Sequence, residues 1–271
     1  MISTATRIEY DGVSSEDYGI IVARTSGLPS YHSGLITNPQ TQKILGIDKL
    51  FFYGNEKTPF TFDLELYKET IWTIQDRKDV FSWLYKNTFR DLIFLHEETN
   101  PDPDDMYEDI YYNCMPIGEP EAIDYGGMYG VRIKFQNSLP YATTRDIEQT
   151  YDLSANTTTT NITVYNYGNL NEYFYDMEIE FTLVDDSTGI TLVNTDDANR
   201  TFQFTGLSAG ETVTVNNLYG DIVSDTGLNR LSNFNKTWFR LAEGLTETTE
   251  NIVTVTGKCL LTISARFPII I

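Results

Sequence analysis

Histidine and cysteine are nearly absent from this chain. Its 271 residues hold two of each, His32 and His96, Cys114 and Cys259. Neither histidine has a cysteine or a second histidine at zinc-ligand spacing. Glu97 and Glu98 adjoin His96, but neighbours in a strand point to opposite faces. These residues argue against a zinc site and against a histidine-based nucleophile relay. The cysteines lie inside strand-like runs, Tyr111–Met115 and Lys258–Leu261. They read as buried free thiols, not as a disulfide framework.

Cations are scarce too. Nineteen Lys and Arg stand against 39 Asp and Glu, a formal net charge of −20. Binding to a phosphate backbone needs cations that displace counterions, so no specific nucleic-acid binding is expected. An anionic membrane surface would repel the chain for the same reason. No apolar run approaches the length of a bilayer span, and Met1–Arg7 lacks the apolar stretch of a signal peptide. The expectation is a soluble protein that stays in the compartment where it is made. The Asn-x-Thr sequons at Asn156, Asn161, Asn199 and Asn235 then read as turn-rich composition.

Catalytic signatures are missing as well. There is no phosphate-binding glycine loop, nucleophile elbow or paired CxxC. Asp225-Thr-Gly227 matches the core of an aspartic protease once, whereas that chemistry needs two carboxylates sharing a proton. Its flanks, Ser224 and Leu228–Arg230, are turn material. Asp102–Asp105 with Glu108 and Asp109 has the charge of a calcium loop but lacks its central glycine and closing glutamate. Trp72, Trp83 and Trp238 could each stack on a sugar, yet a lone Trp in a strand or helix is more often core. No catalytic, cofactor-binding or metal-binding residue is assigned, no cofactor is expected, and the chain reads as a non-enzyme.

What the chain does have is strands. Hydrophobic residues make up 41% and aromatics 13%, enough for packed cores and favourable for pleated surfaces. Met177–Leu183 alternates apolar and polar without a break. Cys259–Phe267 puts Cys259, Leu261, Ile263, Ala265 and Phe267 on one face, with Leu260 the apolar exception on the other. From about Ile162 to Ile271 the chain reads as such strands cut by polar turns, a β-sandwich. The first half carries strands at Arg7–Tyr10, Phe60–Leu66, Asp91–His96, Ile110–Met115 and Val131–Phe135. It also carries one helix, with Asp76 as its cap and Val80, Phe81 and Leu84 at helical spacing up to Tyr85. The whole is therefore mainly β: an N-terminal α+β split-barrel-like domain with one packed helix, over 1–145, and a C-terminal sandwich over 160–271. The polar tract Asp152–Asn161 reads as the connection between them. Glu97–Asp105 reads as a solvated acidic loop. Tyr31–Tyr53 is long and only loosely patterned.

Two stretches together resemble the distal tail protein (Dit) family of long-tailed bacteriophages. Tyr10-Asp-Gly-Val-Ser-Ser-Glu-Asp-Tyr-Gly-Ile20 is similar to that family's opening strand and turn, followed by an alternating strand and a helix. Asn166-Tyr-Gly168, Leu207–Val213, Asn235–Leu241, Gly244 and Asn251–Val255 follow in the order of its galectin-like C-terminal sandwich. Asn216-Asn217 departs from the Asp often found there, and Thr246–Glu250 lengthens a loop. The resemblance implies a structural virion protein at the tail tip, made in the host cytoplasm. Six N-terminal domains would close into a ring that lets DNA pass. The partners implied are other copies of the chain, the tail tube protein, the tail hub or a tail-associated lysin or fibre protein, and the tape measure protein. Tyr31–Tyr53 is then the arm that reaches a neighbouring copy. The competing expectation is a carbohydrate-binding adhesion module acting through the sandwich.

Overall fold

The computed structural model describes residues 7–26, 37–95, 110–124, 126–244 and 248–270. The chain divides into two compact units, Met1–Thr143 with Ile269–Ile271, and Thr144–Pro268. His32, His96 and the acidic stretch 97–109 fall outside the described residues.

In the first unit β1 (Arg7–Tyr10) turns at Asp11-Gly12 into β2 (Val13–Ser14), and a short 3-10 turn leads to β3 (Ile21–Ser26). Then come β4 (Thr37–Lys43), β5 (Leu50–Lys57), β6 (Thr61–Tyr67), α1 (Ile74–Leu84) and β7 (Arg90–Leu95). β8 (Tyr111–Asp124), β9 (Met128–Asn137) and β10 (Ala142–Thr143) complete it. The main sheet is antiparallel, in the order β2-β1-β7-β8-β9-β6-β3.

Alternation in Thr61-Phe-Asp-Leu-Glu-Leu-Tyr67 puts Phe62, Leu64 and Leu66 on the buried face. Across the ladder they meet Phe135, Ile133 and Val131, and the Phe62 and Phe135 rings stack with centroids 5.7 Å apart. The helix adds Val80, Trp83 and Leu84 to this core. Trp83 donates from Nε1 to the Tyr10 carbonyl at 2.9 Å and stacks on Tyr18. Each such buried side chain contributes about 1.5–3 kcal/mol.

One correction concerns the helix start. Thr73, not Asp76, is the cap: its hydroxyl accepts the Asp76 amide, and the Asp76 carboxylate accepts the Thr73 amide in return. The sequence Thr73-x-x-Asp76 is a capping box, which needs a hydroxyl first and a carboxylate three residues on.

The second unit holds β11 (Ile147–Asp152), β12 (Thr159–Asn166), β13 (Met177–Leu183), β14 (Gly189–Asn194) and β15 (Arg200–Thr205). β16 (Thr212–Asn216), β17 (Asp221–Ser224), β18 (Thr249–Thr256) and β19 (Cys259–Ala265) follow. They form two sheets, β11-β19-β13-β16-β17 and β12-β18-β14-β15. The inward faces meet as in any sandwich: Phe181 of one sheet packs on Phe204 of the other at 5.4 Å. Cys259, Leu261, Ile263, Ala265 and Phe267 are all buried and Leu260 is exposed, as their alternation requires.

The polar tract Asp152–Asn161 does not join the two units. It joins β11 to β12 within the second unit, and the division falls earlier, at Thr143 and Thr144. β11 escapes a pattern reading because Gln149 occupies an inward position and is buried. Asp225–Gly244 is irregular apart from single bridges, and buried polar contacts fix it. Asn194 Nδ2 donates to the Arg240 carbonyl at 2.9 Å, and Asn166 Nδ2 to the Ala242 carbonyl at 2.8 Å. The Asp197 carboxylate holds Arg240 through two bonds of 2.6 and 2.8 Å.

Candidate assembly surface

β4 and β5 stand apart from both units' sheets. Among the described residues they pair only with each other, as a two-stranded hairpin. Its tip is a turn, with the Ile47 amide donating to the Ile44 carbonyl at 3.1 Å. Gly46 has φ +88°, at the position where a type II turn needs a residue without a Cβ. Every residue of β4 is exposed.

The hairpin shows apolar side chains to solvent. Leu45 is fully exposed, Phe52 is 62% and Tyr53 66% exposed, and Ile44, Ile47 and Leu50 join them. A lone two-stranded hairpin is marginal in water, and contiguous apolar surface marks an interaction site. Lys43 and Asp48 pair at 3.8 Å with both side chains in solvent, which adds little. Three lysines, at 43, 49 and 57, stand against Asp48 and Glu56, so the hairpin is not acidic in a chain of net charge −20.

The residues weighed for chemistry do not converge. Asp225-Thr-Gly227 is an exposed turn, with the Gly227 amide on the Ser224 carbonyl at 3.0 Å. Among the described residues no group of three or more His, Cys, Asp or Glu could hold a metal ion. Cys114 and Cys259 are buried free thiols in different units, and burial pushes Cys259 up to about 12. Trp72 and Trp83 are buried, each with its indole N–H on a backbone carbonyl. Trp238 packs edge-on against Phe234. No helix among the described residues is long and apolar enough to cross a membrane.

The family model of a phage tail protein N-terminal domain matches residues 3–138, and that of a phage tail C-terminal domain matches residues 145–265. The chain belongs to this phage tail protein family. Among solved structures, the tail protein is similar to Dit of phage SPP1, described as a paradigm of the hub adsorption apparatus in phages that infect Gram-positive hosts. That likeness has a TM-score of 0.67 over 96% of this chain and 98% of the other, at 13% identity, and it establishes a shared fold. Two structures of the phage P2 baseplate in its activated conformation, with Ca and with Sr, align at TM-scores of 0.49 and 0.48. Each is 12% identical, covering 95% and 96% of this chain and 97% of the other chain. No curated protein matches the sequence. The tail protein is thus mainly β, with, among the described residues, one packed helix in its first unit and a two-sheet sandwich in its second.

Proposed function

We propose that this tail protein is a structural part of the tail tip that closes with copies of itself into a ring and works without catalysis. Six copies are what the Dit resemblance implies. The tail tube protein meets one face of the ring and the tail hub, or a lysin or fibre protein, meets the other. The tape measure protein and then DNA occupy the lumen. The observation that carries the reading is the β4–β5 hairpin, which presents Ile44, Leu45, Ile47, Leu50, Phe52 and Tyr53 with nothing of its own chain over them among the described residues. Its burial on a neighbouring copy supplies the contact that ring closure needs. A net charge of −20 suits a conduit, because a carboxylate-rich lumen keeps DNA from adhering.

The test is the solution mass of the native chain and of a Leu45→Asp, Phe52→Asp variant over a range of concentrations. Assembly of the native chain and a monomeric variant with an unchanged thermal midpoint are expected. A native chain that stays monomeric throughout, or a variant that assembles as well as the native chain, overturns the reading.

A further inference from the structure

The two sheets of the second unit end in four edge strands: β11 and β17 in one, β12 and β15 in the other. An uncovered edge offers its backbone groups to another chain, and folded proteins generally cover it. Two of the four, β12 and β15, are met from within. Gln149 and Tyr151 on β11 reach the backbone of Tyr165 and Thr163 on β12. Segment 233–235 lies along β15: the Thr205 amide donates to the Asn233 carbonyl and the Asn235 amide to the Gln203 carbonyl, both at 3.0 Å.

At β17 the Ser224 carbonyl is taken by the Gly227 amide at 3.0 Å, but among the described residues no strand or segment lies along the Ile222 backbone. The Asp225 amide donates to the Thr212 carbonyl, which sets the ladder so that Ile222 and Ser224 turn their backbone away from β16. The Ile222 amide is met by the carboxylate next to it, Asp221 Oδ1 at 2.9 Å. Beside this edge lies a groove of about 340 Å³, lined among others by Ile222, Val223, Leu228, Asn229 and Leu231. Val223 is 57% and Leu228 55% exposed, and Tyr219, next to the groove, is 80% exposed.

The groove wall is held rigid. Glu211 receives Arg230 through two bonds of 2.6 Å and the Ser224 hydroxyl at 2.6 Å, all of it buried. That network pins the loop carrying Leu228 and Leu231. The Arg230 charge is spent inward, so exposed Asp221 and Asp225 set the charge of the rim. A second copy of a chain at −20 is a poor match for such a rim.

We propose that this edge and groove bind an extended segment of a different tail protein, one that alternates aliphatic and basic side chains and adds as a strand beside β17. Its carbonyl takes the Ile222 amide, its cation takes the displaced Asp221 carboxylate, and its aliphatic side chains fill the groove at Val223 and Leu228.

The probe is a capped heptapeptide of alternating lysine and valine, with its glutamate–valine counterpart as control, titrated into the full chain and followed by backbone amide resonances. Saturable shifts confined to residues 219–231 with the lysine peptide are expected, and weaker or no binding by the glutamate peptide. Val223→Asp with Leu228→Asp, both at exposed positions, should weaken the lysine peptide about tenfold or more with the thermal midpoint unchanged. Leu45→Asp, which breaks the ring contact, should leave it intact, so the two readings fail separately. The inference is overturned if neither peptide shifts these amides, if both bind alike, or if the double variant binds like the native chain. It is overturned too if Val223→Asp abolishes self-association, which would assign the edge to a second copy.

Discussion

Gln149 and Tyr165 exchange two hydrogen bonds: Gln149 Nε2 donates to the Tyr165 carbonyl at 2.9 Å, and the Tyr165 amide donates to Gln149 Oε1 at 2.8 Å. A side-chain amide here stands in for a peptide unit. It joins strands of different sheets where no ladder runs, and Tyr151 repeats the link one step along by donating to the Thr163 carbonyl at 2.6 Å.

Gln149→Leu keeps the volume but leaves the Tyr165 amide and carbonyl without partners. A loss of about 1–3 kcal/mol is expected, because an orphaned buried polar group bears its full desolvation cost. Urea unfolding measures it, and amide exchange at Tyr165 should accelerate. An unchanged midpoint would show that the link contributes nothing.

Glu211 and Arg230 form a buried pair, with side chains 0% and 10% exposed. Glu211→Gln leaves Arg230 buried without its counter-charge, and about 3–5 kcal/mol should be lost. Replacing both, Glu211→Leu with Arg230→Met, should recover most of it.

The same pair sets a pH dependence. Burial by itself raises Glu211, but the bonds from Arg230, Ser224 and the Ser208 amide outweigh it and bring the group from 4.5 down to about 2. A carboxylate depressed on folding stabilises fully above its unfolded value, and that stabilisation is lost as pH falls from 4.5 toward 2. The amount is about 3 kcal/mol. Denaturation measured at about pH 6 and about pH 3 should show a smaller drop for Glu211→Gln than for the native chain.

Thr73→Ala removes the oxygen that accepts the Asp76 amide at 3.1 Å. About 1 kcal/mol should go, with faster exchange in the first turn of the helix, while Thr73→Ser retains the cap. Equal stability of the Ala and Ser variants would refute the assignment of Thr73 as cap.

Much of the fold was legible because burial of one face leaves a period. Phe62, Leu64 and Leu66, and again Ile179 and Phe181, announce strands by alternation. β11 does not, because buried Gln149 breaks the pattern and its partner Tyr165 is distant in sequence. The hairpin fails for a different reason. A segment that buries neither face in its own chain carries no period to find, so 37–57 read only as loosely patterned. The edge at β17 had no sequence signal either. Leu228 read as turn material, and only the sheet order places it and Val223 beside an edge.

By itself the sequence determined that this is an acidic, β-rich chain, because composition and alternation are local properties. The order of its short motifs was enough to suggest a phage tail protein. Only the tertiary structure decided that the tract Asp152–Asn161 lies inside the second unit, that β4 and β5 stand apart, and that the sandwich leaves an open edge at β17. Those depend on which strands find each other across long stretches of chain, and pairing of that kind is selected by the packing of the whole unit.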